Sequence, residues 1–110
     1  KVEMQFLNSQ LGFVTMLLNG GDNGILLRTE DGGKTFALVD ITPMVVESEV
    51  NEGNFFTPFD TPEDIAEKDG VLCLIMGQGT DADYYVNDHL ASAVYVSFDD
   101  GVSWNYLKTE

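Results

Sequence analysis

The sequence predicts an all-β domain of two antiparallel sheets, and three observations predict it. Helical periodicity is nearly absent. Short runs of β-branched, aromatic and aliphatic residues recur between Gly and Asp, and one strand, turn, strand unit occurs twice at a spacing of 68 residues. At 110 residues, with 44% apolar residues and 11% aromatics, the chain has the length of one domain and enough apolar material for one packed core. It divides into a first repeat over 1–40, an acidic connection over 41–69 and a second repeat over 70–110.

The first repeat predicts strands over 4–7, 12–18, 24–29 and 36–39, each rich in residues that suit a pleated surface. In the connection, Thr61 followed by Pro62 reads as an N-cap and a first helical residue, so a helix of one or two turns is expected over 61–68, stopped by Asp69-Gly70. The second repeat predicts strands over 71–76, 93–97 and 103–107. Strands this closely spaced, with no long helix to cross over, pair antiparallel through hairpins. Gly12-Phe13-Val14 resembles Gly70-Val71-Leu72, and the second copy carries about ten extra residues, which fall within 77–92. A loop of that length in a compact domain is often functional.

The formal charge of −14 disfavours nucleic acid and anionic lipid, because both require a positive field. Thirteen acids against one Lys lie in residues 41–100, so the acidity belongs largely to the connections. No apolar run is long enough to span a membrane as a helix, and Cys73 is a lone thiol in the apolar run 71–76, expected in the core. The chain starts at Lys1 and has no signal-peptide pattern, which suits a trimmed precursor or an excised piece. The compartment stays open, with an extracytoplasmic setting favoured.

The repeated unit is Thr29-Glu30-Asp31-Gly32-Gly33-Lys34-Thr35-Phe36 and Ser97-Phe98-Asp99-Asp100-Gly101-Val102-Ser103-Trp104. A hydroxyl, an Asp two residues on and a Gly two further on make a bend with its own hydrogen bonds. The carboxylate accepts from nearby backbone N–H groups, Gly supplies positive φ, and the following aromatic packs beneath. Both copies match Ser/Thr-x-Asp-x-Gly-x-x-Trp/Phe, and here the chain resembles the Asp-box, or BNR-repeat, family. The first copy is similar to the form found in photosystem assembly factors and sortilin-type propellers.

The resemblance covers about half the chain and implies two propeller-blade-like sheets, with Thr29, Asp31, Gly33, Phe36, Ser97, Asp99, Gly101 and Trp104 as turn formers rather than catalysts. Sialidases share the motif but grip an anionic sugar with three arginines, and this chain has only Arg28. A sialidase is therefore excluded. Since a propeller needs roughly 4 to 8 blades, two blades imply a part of a longer ring, a homo-oligomer that completes one, or a compact two-sheet domain.

Outside the repeats, Tyr84, Tyr85 and His89 in the long loop and Phe55, Phe56 and Phe59 in the connection are candidate ligand-binding residues, since flat rings stack on neutral sugars or anchor a protein. Asp81, Asp83 and Asp88 offer hard oxygen ligands of the kind calcium takes, without the Gly and closing Glu of the standard loop. No other cofactor and no catalytic residue is expected. The function expected is a non-catalytic module for binding a protein or a neutral glycan; the alternative is a fragment or divergent member of a glycoside hydrolase.

Overall fold

A computed structural model describes residues 2–18, 23–48, 51–78 and 84–110. Among the described residues every regular element is a strand. The first sheet is the meander β1 (Val2–Phe6), β2 (Gly12–Leu18), β3 (Asn23–Thr29) and β4 (Ala37–Leu38), antiparallel and in sequence order. The connection carries a small hairpin of β5 (Val46–Glu47) and β6 (Phe55–Phe56). The second sheet is built from β7 (Thr61–Lys68), β8 (Val71–Gly77), β11 (Ala93–Ser97) and β12 (Asn105–Thr109), again an antiparallel meander. Between β8 and β11 sits the hairpin of β9 (Tyr85–Val86) and β10 (His89–Leu90). The domain is thus all-β with two four-stranded antiparallel sheets.

Segment 61–68 is a strand, not the expected helix. The local cap signals at Thr61 and Pro62 are outweighed by tertiary pairing, because Asp69 and Gly70 both take positive φ (54° and 80°) and fold the segment back on β8 as a two-residue hairpin. Pro62 has no N–H to donate, and β7 is the outer strand of its sheet, where such a gap is tolerated. The register slips between Pro62 and Asp64, leaving Glu63 as the extra residue of a bulge. Exposed Glu63, Asp64, Glu67 and Lys68 keep this edge charged.

The two sheets have the same register at their last hairpins. Arg28 faces Ala37 in the first and Val96 faces Asn105 in the second, each pair 68 residues from its counterpart. On the inner strands, Gly12 faces Thr29 and Leu72 faces Ser97, so Gly12 corresponds to Leu72. The sequence pairing of Gly12 with Gly70 is therefore two residues out of step, a shift that preserves the face to which each side chain points.

Alternation along β8 and β11 turns Leu72, Leu74, Met76, Ala93 and Tyr95 into the core, where Ile65, Phe59 and Trp104 join them. The first sheet contributes Phe13 and Leu26 to that core. Cys73, expected inside, lies half-buried on the opposite face, because its neighbours Leu72 and Leu74 claim the inward positions. Edge strand β7 runs close to β2 and β3, and the Gly24 N–H donates to the Asp60 carbonyl at 3.3 Å, tying the sheets at one end. Among the described residues no fully buried side-chain nitrogen or oxygen lacks a partner. Phe13 is the largest side chain the first sheet sends inward, so Phe13→Ala is expected to lower the unfolding free energy by about 3–5 kcal/mol in urea titration.

Candidate functional site

The two bends are bonded almost atom for atom alike. In the first, Thr29 Oγ1 donates to Asp31 Oδ1 at 2.8 Å and accepts from the Gly33 N–H at 2.9 Å. Asp31 Oδ1 also accepts from the N–H groups of Lys34 and Thr35, and Oδ2 from the Thr35 hydroxyl at 2.5 Å. In the second, Ser97 Oγ donates to Asp99 at 2.8 Å and accepts from the Gly101 N–H at 2.8 Å. The Ser103 N–H and hydroxyl then close on the two Asp99 oxygens at 2.9 and 2.6 Å.

Both carboxylates are turned into their own bends, and the bonds set their acidity. The hydroxyl and N–H of Thr35, with the Thr29 hydroxyl, hold the Asp31 carboxyl well below the ordinary range. The hydroxyl and N–H of Ser103, with the Ser97 hydroxyl, bring Asp99 down to about 2. A carboxyl in that state does not carry a proton near neutrality, so neither Asp is suited to general acid work. The glycines supply the backbone the bend needs, at φ +94° for Gly33 and +85° for Gly101.

The bends differ in what covers them. Phe13, paired across the first sheet with Arg28, meets Trp104 edge to face at 6.2 Å, and Arg28 Nε donates to the Asp100 carbonyl at 2.9 Å. A Cβ on Gly101 would collide with the Phe13 ring, so this glycine is required for contact as well as conformation. Trp104 Nε1 donates to the Gly101 carbonyl at 3.0 Å and the ring is 9% exposed. At the first bend the neighbours come from its own sheet: the Phe6 ring lies beside Gly33, and the Gly32 N–H donates to the Gln10 carbonyl. Phe36 is left 38% exposed.

The aromatic candidates separate by burial. Phe59, expected to meet ligand, is 2% exposed and belongs to the core cluster that also holds Leu26 and Met76, because burying its ring removes a large apolar surface from water. Tyr84 is half-buried and stands edge to face against both Phe56 and Phe59, at 5.8 and 5.9 Å. The structure thus joins the connection to the long loop through one ring cluster. The other member of each doublet points away from this cluster, leaving Phe55 63% and Tyr85 62% exposed, while Phe56 keeps 36% of its own surface exposed. His89 is exposed on β10, with Nδ1 3.3 Å from the Asn87 carbonyl.

One residue that organises the long loop escaped sequence reasoning. Gln78, at the end of β8, is buried; its Nε2 donates to the carbonyls of Tyr84 and Ala91 at 2.8 Å each, and its Oε1 accepts from the Tyr84 N–H. Its only sequence signal is a polar amide directly after an apolar strand. Asp81 and Asp83 of the calcium expectation lie outside the described residues. Asp88 shares with Asn87 the positive-φ turn of the β9–β10 hairpin. Among the described residues no three His, Cys, Asp or Glu side chains converge as a metal would need.

Comparison of the chain with protein-family models, with curated proteins and with solved structures finds no match.

Two outcomes test the bends. Ser97→Ala removes the partner of the buried Gly101 N–H, so chemical denaturation is expected to show a loss of about 1–3 kcal/mol. On acidification, Asp99 stays ionised in the folded chain while the unfolded chain takes up protons at the ordinary carboxyl pKa of 3.8. The stability it supplies is thus full above that value and is lost as pH falls through about 2. The acid limb of a melting-temperature profile should be shallower in Asp99→Asn than in the wild type.

Proposed function

We propose that this chain is a non-catalytic binding and scaffold module of the Asp-box type, with its two sheets serving as propeller-like blades. Exposed rings on the β5–β6 and β9–β10 hairpins take a neutral glycan or a protein segment. The observation that carries the reading is the division of labour within each aromatic doublet. Phe56 and Tyr84 meet edge to face between the two hairpins, while Phe55 and Tyr85 stand further into solvent, 63% and 62% exposed against 36% for Phe56. A ring held out on a braced hairpin loses little freedom on binding, which is what a stacking platform requires.

The resemblance of both octapeptides to the Asp-box motif supports the scaffold part of the proposal, and the bond pattern of each bend is that of a structural turn. Charge narrows the partner. At −14 the chain repels anionic polymers and suits neutral or cationic ones.

A panel of neutral oligosaccharides and cationic peptides, followed by protein-observed NMR, tests the proposal. Tyr85→Ala and Phe55→Ala are each expected to weaken binding at least tenfold while the melting temperature stays within a few degrees. Undiminished binding in both variants, binding to no member of the panel, or turnover of a glycoside would contradict it.

A further inference from the structure

The matched registers of the two sheets allow their faces to be compared strand by strand. In the second sheet, Ile65, Leu74, Tyr95 and Tyr106 form one row across all four strands. Its first three members are buried, because the face they line is the one on which the first sheet lays Phe13 and Leu26. The corresponding row of the first sheet is Met4, Val14, Leu27 and Leu38. It is equally apolar; Val14 in its middle is buried and Leu27 half-buried, but Met4 is 58% and Leu38 65% exposed, and Phe6 and Phe36 at its margin are also exposed.

The opposite faces compare in the same way. The row of the first sheet that carries Phe13 is Gln5, Phe13, Arg28 and Ala37; Phe13 is buried against the second sheet, Arg28 is half-buried, and the two ends are exposed. Its counterpart in the second sheet is Ala66, Cys73, Val96 and Asn105, on the face turned away from Leu74 and Tyr95, with Ala66 and Asn105 exposed, Cys73 half-buried and Val96 buried. Each end of the two-layer stack therefore shows one half of the contact made in its middle. A layer that ends such a stack normally carries a polar outer face, and the Met4 to Leu38 row does not.

We propose that the Met4, Val14, Leu27, Leu38 face of one molecule receives the Ala66, Cys73, Val96, Asn105 face of a second copy of this chain, repeating head to tail the contact already made between the two sheets. Side-chain sizes agree with this pairing. Within one molecule the large Phe13 fills the space over Gly101; between molecules the smaller Cys73 would face a bend where Phe6 already lies beside Gly33. Strands about 4.8 Å apart and about five residues long give a four-stranded face of roughly 19 by 17 Å. The two facing patches together have about 650 Å² of flat area, somewhat more with side-chain relief, which is at or below the lower end of specific interfaces, so assembly should be weak and depend on concentration. The contact is heterologous, so it closes into a ring or runs on. Like charges of −14 on each copy oppose it, so salt should strengthen it.

Sedimentation velocity over a hundredfold concentration range, at low salt and at about 0.5 M NaCl, tests the proposal with the 110-residue chain. The wild type is expected to self-associate, more strongly at high salt. Leu38→Glu spoils the receiving face and Ala66→Glu the inserting face, both at exposed positions, and each alone should be monomeric with an unchanged circular dichroism spectrum. Mixed together, the two variants retain one intact face of each kind and should form a 1:1 dimer that grows no further. A wild type that stays monomeric at high salt, association indifferent to Leu38→Glu, or a mixture without the 1:1 species would overturn the proposal. Ligand binding at Tyr85 and Phe55 is read separately, so failure of either idea leaves the other standing.

Discussion

A carboxylate that collects hydrogen bonds from the hydroxyl two residues before it and from the N–H and hydroxyl four residues after it is the constraint on which both sheets depend. The side-chain bonds of the bend close within a few residues, and distant chain adds to them through the Gln10 carbonyl at the first bend and Arg28 at the second. The hydroxyl of Thr29 or Ser97 ends its strand and in the same place satisfies the glycine N–H across the bend. Because Thr29 and Ser97 are buried, those bonds have little competition from water.

From the bend the consequences run outward into packing. Its glycine leaves a flat place beside the aromatic that follows, and at the second bend Phe13 from the other sheet occupies it while Arg28 holds the Asp100 carbonyl. The bend is thus a local turn and also the seat of the contact between layers. The acidic charge is kept mostly in the connections, where exposed carboxylates along β7 guard an edge.

The long strands of both repeats were legible because alternation and turn residues agree there with the final pairing, although the last lies at Asn105–Thr109 rather than 103–107 and the short β9–β10 hairpin falls in what reads as a loop. The same holds for the duplicated octapeptide, whose 68-residue spacing reappears as identical cross-strand register. Segment 61–68 was not legible, since Thr-Pro and a run of acids carry a local helical signal while the partner that decides the outcome, β8, lies beyond the turn. The aromatic doublets could be recognised but not sorted: which ring turns inward depends on the pairing of two-residue strands that composition does not reveal. Phe59 entered the ligand set for that reason and proved to be core. Gln78 was missed because a single buried amide has no pattern, only three backbone partners that the fold brings to it.

The central claim is that Asp31 and Asp99 are consumed by their own bends, and NMR titration of their side-chain carboxyl carbons measures that directly. Both should titrate below the ordinary carboxyl range, Asp99 near pH 2. Midpoints at ordinary carboxylate values would show that the hydroxyl and N–H groups do not close on these oxygens, and the account of both sheets would fall with them.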